Sequence, residues 1–144
     1  MKFFTKSRYA LRLMIELARR PQNDNTPLKS IAQSQNISLK YLEQVIVPLS
    51  RAGLVKSERG SQGGYRLAVP PEHCTAGDIL RAVEGSLAPV DCLDPEARAC
   101  DFQQKCASLR FWSGLGDCIE RYADSVTLHD LAAVPEDSTL PFGL

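Results

Sequence analysis

The sequence predicts a mainly α-helical protein with a small β-wing: a winged helix-turn-helix domain followed by a long C-terminal dimerisation helix. Two short helical patterns precede a glycine-rich β-hairpin between residues 28 and 67, which is the element order of a winged helix-turn-helix. Residues 1–66 hold 12 Lys or Arg against 4 Asp or Glu, whereas residues 67–144 hold 5 against 13. The chain of zero net charge therefore has a half at +8, suited to a polyanion, and a half at −8.

The length of 144 residues allows one core and an appendage. We expect a DNA-binding domain over 1–85 with its wing at about 54–69, a cysteine-bearing cluster loop over 86–106, a dimerisation helix and a short C-terminal helix over 107–134, and a disordered tail over 135–144. The DNA-binding domain begins with a helix over residues 1–20, whose apolar side chains repeat at i, i+3 and i+4.

Two helices separated by a turn make up the predicted helix-turn-helix. Thr26 is a suitable N-cap and Pro27 a suitable first residue for a helix over about 28–35. Ser38 can cap the second helix, and Gly53 can end it with a positive φ. The apolar residues of this second helix fall on one side, so its polar residues face outward as in a recognition helix.

The outward side chains of the second helix and the hairpin loop form the predicted DNA interface. Glu43 and Gln44 should contact base edges, while Lys40 and Arg51 should contact phosphates. The loop between strands 54–57 and 65–69 is rich in glycine, and Arg59 brings charge where a minor groove attracts it. An ordinary solvated hairpin is the alternative for the loop alone. The predicted DNA-contacting residues are Ser38, Lys40, Tyr41, Glu43, Gln44, Arg59, Gln62 and Gly63.

The second half begins with a helix that has a capping box at Thr75 and Asp78 and ends at Gly85. A longer helix follows over about 107–124, with one apolar stripe formed by Leu109, Trp112, Leu115, Ile119 and Tyr122. The small N-terminal domain already has its own core, so the stripe needs another partner. A second subunit is the natural candidate, which predicts a homodimer.

Three cysteines with C-x7-C-x5-C spacing lie in the loop before the long helix: Cys92, Cys100 and Cys106. Three thiolates with one further ligand suit an iron-sulfur cluster or zinc, and incidental free thiols are the alternative. We expect Cys118 to be a small buried side chain and Cys74 an ordinary loop residue.

Other classes of protein find little support in the sequence. It contains no stretch of about 20 apolar residues and no signal-peptide core, which predicts a cytoplasmic protein without membrane contact. Walker-type phosphate loops, nucleophile elbows and paired histidines are absent, so a thiol or metal enzyme is the least favoured function.

Taken together, five segments resemble the IscR/CymR/NsrR-type (Rrf family) of bacterial winged helix-turn-helix regulators: FTKSRYA at 4–10, SLKYLEQ at 38–44, GLV at 53–55, RGSQGGY at 59–65 and AGDI at 76–79. The resemblance covers nearly the whole chain, up to Leu131. It implies a homodimer built around the long helix that binds palindromic double-stranded operator DNA. It also implies that Cys92, Cys100 and Cys106 match the cysteines that hold an iron-sulfur cluster, two-iron or four-iron, in one branch of the family.

The sequence departs from the cluster-binding pattern at two places. The spacing from Cys92 to Cys100 is two residues longer than usual, and Leu109 stands where a histidine is expected. The first two-thirds of the chain look most like the cysteine-metabolism repressors, which bind no cluster. We therefore expect a homodimeric DNA-binding regulator, a repressor, that controls iron-sulfur cluster biogenesis or cysteine metabolism. An iron-sulfur cluster is expected to modulate its binding to operator DNA. The alternative is a cluster-free repressor of cysteine metabolism that acts with a partner enzyme of cysteine synthesis.

Overall fold

The computed structural model describes residues 3–136 and is mainly helical with one small antiparallel sheet, as predicted. Within those residues the helices and strands are α1 (Thr5–Arg19), α2 (Leu28–Gln35), α3 (Leu39–Arg51), β1 (Val55–Glu58), β2 (Gly64–Leu67), α4 (Ala76–Glu84), α5 (Leu109–Ser125) and α6 (Leu128–Ala132). Three single turns of 3-10 helix lie at Pro71–His73, Asp91–Leu93 and Gln103–Lys105. None of the helices in the described part of the chain is long and apolar enough to cross a membrane.

Helix α1 is the centre of the core. It packs against α2, α3, α4 and α6, and the apolar stripe predicted for it is buried, with Leu13 and Met14 fully so. Ile31, Leu42 and Leu49 meet it from α2 and α3 and are also fully buried. Burying each such side chain contributes about 1.5–3 kcal/mol, which holds the two helices of the helix-turn-helix on one scaffold.

The start of α2 differs from the prediction at Thr26. The N-cap position is occupied by Pro27, and the prediction that Thr26 caps the helix is wrong. Thr26 is buried and pairs with Tyr65 of β2 instead, through two backbone hydrogen bonds whose N···O distances are both 2.8 Å. These two bonds satisfy both backbone polar groups of Thr26, and they attach the wing to the chain before α2.

The predicted ends of α3 and the predicted start of α4 are confirmed, whereas α1 begins at Thr5 rather than at residue 1 and α5 begins at Leu109 rather than at about 107. The Ser38 hydroxyl accepts a hydrogen bond from the Tyr41 amide at 3.1 Å, which caps α3. Gly53 follows the last turn with φ of +76°, a conformation that favours glycine. Thr75 and Thr127 each exchange hydrogen bonds with the residue three positions on, forming capping boxes at the starts of α4 and α6. These helix ends are therefore determined by local sequence.

Helix α5 packs mainly on α4 through a group of charged side chains. The Arg81 guanidinium donates to both carboxylate oxygens of Asp124 at 2.8 Å and to Glu120 at 2.6 Å. A Cβ on Gly77 would lie 2.0 Å from a carboxylate oxygen of Asp124, so only glycine leaves room for this pairing. Because the bidentate geometry fixes direction as well as distance, Arg81 sets how α5 leaves the domain.

The C-terminal tail that we predicted to be disordered begins at residue 135, and residues 137–144 of it lie outside the described residues. The two residues that are described continue past α6 along α1. There the Arg19 guanidinium forms an ion pair with Glu136 at 2.8 Å. The Arg19 side chain also donates to the carbonyl of Ala132 at 3.2 Å.

Candidate nucleic-acid interface

Helix α3 separates its residues into a buried side and an outward side. The four apolar residues Leu42, Val45, Ile46 and Leu49 are buried against the core. The outward side chains are all exposed: Lys40, Glu43, Gln44, Val47 and Arg51. Within residues 3–136 no hydrogen bond or ion pair involves the polar groups among these side chains, whose donors and acceptors are therefore available to a ligand.

Ser38 and Tyr41 are held in place at the start of this helix. The Ser38 hydroxyl is an acceptor in the cap, and the half-buried ring of Tyr41 stacks edge-on against Tyr9 of α1 with centroids 5.2 Å apart. The Arg12 guanidinium lies over the Tyr9 ring at 5.7 Å. The N-terminal turn of α3 is thus anchored on α1, which gives its neighbours a defined position.

A buried carboxylate that the sequence analysis did not single out joins α1 to α2. Glu16 accepts hydrogen bonds from Arg20 at 2.7 Å, Gln35 at 3.2 Å and Ser34 at 3.4 Å. Its side chain occupies the helical position of an ordinary surface residue, so the sequence gives no signal of its burial. The network fixes the end of α2 on α1 and with it the turn that leads into α3.

The wing presents one partnerless cation at its tip. Arg59 is exposed and has no hydrogen bond or ion pair to any described residue, whereas Arg66 at the base of the wing pairs with Glu58 at 3.1 Å. Gln62 is also exposed, although its carbonyl accepts a hydrogen bond from the Asn25 amide at 3.4 Å. A Cβ on Gly63 would lie 2.4 Å from the Glu58 carbonyl, so the tight loop needs glycine there.

Contacts between the base of the wing and the segment before α2 hold the wing in place. The Asn25 amide donates to the Glu58 carboxylate at 2.9 Å, next to the backbone pairing of Thr26 with Tyr65. Gly64 lies at φ of +149°, and a Cβ there would lie 2.5 Å from the Thr26 carbonyl atoms. No local sequence pattern predicts this role of Asn25, because its partner is 33 residues away.

The three predicted cluster cysteines lie on one loop between α4 and α5. Cys92 and Cys106 are half-buried and Cys100 is exposed. The Cys106 sulfur lies 3.3 Å from the Ser108 hydroxyl, and this hydrogen bond lowers the pKa of the thiol. Among the described residues, no three Cys, His, Asp or Glu side chains are arranged to hold a metal ion. The loop thus carries the predicted thiols without gathering them into a ligand set.

The two remaining cysteines are placed opposite to expectation. Cys74 is fully buried in the core rather than in an ordinary loop environment, and burial raises the pKa of its thiol to about 11. Cys118 is exposed on α5 instead of being buried. Both differences come from packing, since Cys74 is covered by the chain around α6 and α5 has few intrachain neighbours.

The apolar side of α5 remains largely uncovered within one chain. Ala123 is its only buried residue in the described structure, while Phe111 and Tyr122 are 63% and 74% exposed. Leu109, Trp112, Leu115 and Ile119 are half-buried. A groove of about 430 Å³ runs from this side towards α1, lined by residues that include Leu11, Leu80, Ile119, Tyr122 and Leu131.

A basic helix-turn-helix with an attached wing, followed by a helix with an exposed apolar side, defines a DNA-binding regulator of the winged-helix class. Residues 3–134 match the family model described as "Rrf2: Iron-dependent Transcriptional regulator". The protein belongs to the Rrf2 family of transcription regulators, and the resemblance predicted from five sequence segments is confirmed.

Similar proteins include transcription regulators of two kinds, CymR and IscR. The chain is 47% identical over 133 residues to the transcriptional regulator CymR of Bacillus subtilis, covering 92% of this chain and 91% of that protein. The solved structure of B. subtilis CymR, described as a global cysteine regulator, has a TM-score of 0.75 at 44% identity and covers 94% of this chain and 99% of its own. The structure of T. potens IscR also has a TM-score of 0.75, at 38% identity, with 97% and 93% covered. These relatives are transcription regulators and not enzymes, and so is this protein.

Proposed function

We propose that this protein is a homodimeric repressor of transcription in the bacterial cytoplasm that binds palindromic double-stranded operator DNA. The observation that carries the proposal is the outward side of α3, whose polar side chains have no partner within the described chain. We assign DNA binding to residues 1–85, cofactor or signal response to the loop over 86–106, and dimerisation to 107–134.

Within this proposal the side chains divide into two roles. Glu43 and Gln44 contact base edges in the major groove, where a good bidentate contact is worth about 1–3 kcal/mol of discrimination. Lys40 and Arg51 contact phosphates, and Arg59 enters the adjacent minor groove. The supporting contacts come from residues at the start of α3 and in the wing loop: Ser38, Tyr41, Gln62 and Gly63.

The proposed dimer follows from the apolar side of α5. Phe111 and Tyr122 both expose most of their aromatic surface to water in the single chain. Large exposed apolar patches of this kind mark protein interfaces. A twofold axis at α5 would cover both copies of this surface and present two copies of α3 to half-sites about 34 Å apart. Palindromic operator DNA has the matching symmetry.

Selection of bound sequences from random DNA duplexes tests DNA recognition. We expect the wild type to enrich a palindrome, and Gln44→Ala to lose preference for it while keeping most non-specific affinity. Lys40→Ala should instead weaken binding to all sequences and reduce the magnitude of the slope of log K against log salt by about 1. Lys105→Ala, on the cysteine loop, is the control for loss of one positive charge. A Gln44→Ala protein with the wild-type preference contradicts the base-contact assignment.

For the signal, we propose an iron-sulfur cluster held by Cys92, Cys100 and Cys106. The donor chemistry fits, because three accessible thiols lie on one loop and the pKa of Cys106 is lowered towards the thiolate that iron binds. The positions of these thiols in the present loop conformation do not fit a cluster, so binding would require the loop to rearrange. A bound cluster would supply a redox-sensitive cross-link of that loop. What the chain itself contributes is position, since the loop joins α4 of the DNA-binding half to α5.

The alternative is a cluster-free repressor of cysteine metabolism that acts with a partner enzyme of cysteine synthesis. Its support is the 47% identity to CymR over nearly the whole chain. Absorption spectra and iron content of anaerobically prepared protein distinguish the two. Under the cluster proposal, alanine at Cys92, Cys100 or Cys106 removes iron and visible absorption, and alanine at Cys118 does not. Wild-type and triple-alanine proteins with equal iron content and equal operator affinity would refute the cluster and leave the alternative.

A further inference from the structure

One apolar side chain interrupts the polar outward side of α3. Val47 is 50% exposed, while the four apolar residues that form the core side of the same helix are at most 3% exposed. At 100° per residue it lies about 150° around the helix from the centre of that core side. Glu43 and Gln44 precede it by one turn and Arg51 follows by one turn, so Val47 occupies the middle of the side proposed to face DNA.

Val47 contributes little to the stability of the isolated domain. Its exposed half gains nothing from burial, and a β-branched side chain lowers helix propensity by a few tenths of a kcal/mol relative to Ala. A lone exposed valine is common on protein surfaces and by itself indicates nothing. What distinguishes this one is that charged and amide side chains without partners surround it.

The surroundings of Val47 do not favour an apolar protein partner. The exposed apolar side of α5 has several aromatic and aliphatic members, which is the pattern of a protein interface. Val47 has polar or charged neighbours at both adjacent turns. A ligand that suits this arrangement presents a small apolar group among hydrogen-bonding groups and negative charge.

We propose that Val47 is a specificity residue that packs against the C5-methyl group of a thymine in the operator. This inference rests on the proposed function, in which α3 enters the major groove. The thymine methyl is the apolar group that the major groove displays among hydrogen-bonding base edges. Side chains in a helix tilt towards its N-terminus, so the methyl groups of Val47 lie over the turn that contains Glu43 and Gln44. The contacted thymine is therefore in or next to the base pairs that these two residues contact.

A scan with deoxyuridine tests this assignment, because deoxyuridine differs from thymidine only by the missing methyl group. After selecting the operator with wild-type protein, each symmetric pair of thymines is replaced in turn, and binding is measured for the wild type and for Val47→Ala. For the wild type, replacing one particular pair of thymines should reduce affinity about fourfold per half-site, which is the effect of losing one buried methyl contact. For Val47→Ala, replacement of that pair should change affinity by less than about twofold, and all other pairs should give the wild-type profile.

Two further variants complete the experiment. Val47→Thr keeps the side-chain shape but exchanges one methyl for a hydroxyl, so it should lose part of the thymine discrimination without changing the helix. Val134→Ala removes a comparably exposed valine, 46% exposed and distant in sequence from α3, and should leave the scan unchanged. Thermal unfolding of all variants should match the wild type closely because the replaced side chains are exposed.

The outcomes separate the inference from the proposed function. An enriched operator whose deoxyuridine profile is the same for the wild type and Val47→Ala overturns the assignment of Val47 and leaves operator binding intact. A wild-type profile without any methyl-sensitive thymine does the same. If selection with the wild type enriches no sequence, the proposed function fails and the inference fails with it.

Discussion

Replacing Phe111 with serine should dissociate the proposed dimer without unfolding the chain. Phe111 is 63% exposed, so the single chain gains little from its ring. Its neighbour Trp112 is a poorer probe, since it is half-buried and its removal would also leave a hole within one chain. The two rings are in T-shaped contact with centroids 5.0 Å apart, and Trp112 remains in place in the Phe111→Ser variant.

The size of the effect follows from the exposed surface of Phe111. An aromatic side chain buries about 200 Å² when fully covered, so 63% exposure leaves roughly 125 Å² for a partner. At about 25 cal/mol per Å² this is roughly 3 kcal/mol for each copy, and a twofold interface contains two copies. Because partial coverage and reorganisation reduce such values, we expect the dimer dissociation constant to rise at least about 100-fold.

Sedimentation velocity over a dilution series measures this change. The matched control is Phe102→Ser, because Phe102 is also 63% exposed but lies on the cysteine loop rather than on α5. Circular dichroism and thermal unfolding show whether either variant loses its fold. If Phe111→Ser and Phe102→Ser both keep the wild-type dissociation constant, α5 is not the dimer interface and the reasoning from its exposed apolar side is wrong.

Three further predictions concern stability and thiol chemistry. Arg81→Ala should lower the free energy of unfolding by about 1 kcal/mol at pH 7, since its pairs are partly exposed. The hydrogen bond from Arg81 lowers the pKa of Asp124, so this stabilisation is present above the ordinary carboxyl pKa and is lost as the pH falls through the lowered value. In urea unfolding, the free energies of unfolding of the variant and the wild type should therefore converge in acid. A difference that stays constant with pH would contradict the pairing. Gly64→Ala should lower the free energy of unfolding by more than about 2 kcal/mol because its Cβ would displace the Thr26 carbonyl. Gly53→Ala, with open space around it, should lower it by about 1 kcal/mol. Equal decreases in the free energy of unfolding would refute the close approach at the wing. Cys74 should resist alkylation in the native protein while the exposed cysteines react, and mass spectrometry finding equal labelling would show that it is not buried.

Local patterns in the sequence predicted most of the helices and their ends. The capping box at Thr75 and the cap at Ser38 each depend on residues within one turn, and both were placed correctly. The amphipathic pattern of α3 likewise identified its buried side, because a regular helix fixes which residues share a side. Predictions succeeded where the determining partner lies nearby in the chain.

Partners distant in sequence account for what was missed. Thr26 has the side chain of an N-cap, but Tyr65 offers its backbone two hydrogen bonds, and no local pattern reveals that competition. Arg81 likewise finds its carboxylates 39 and 43 residues further along the chain. For the candidate site, residue type indicated the roles of Gln44 and Arg59, which remain predictions. The spacing of the cysteines predicted ligands, but spacing alone does not determine the loop conformation that would gather them.

The attachment of the wing to the segment before α2 constrains how any signal reaches the DNA. Because Thr26 pairs with Tyr65 and Asn25 donates to Glu58, the wing is attached to the segment that leads into α2, and moving the wing relative to α2 would break these hydrogen bonds. In the proposed dimer, a signal would then act by rotating the DNA-binding half as a unit about the junction of α4 and α5. At a distance of about 17 Å from the rotation axis, half the spacing of adjacent major grooves, a rotation of about 5° would shift each copy of α3 by roughly 1.5 Å. Such a mechanism would move α3 and the wing together and leave the geometry within each DNA-binding half unchanged.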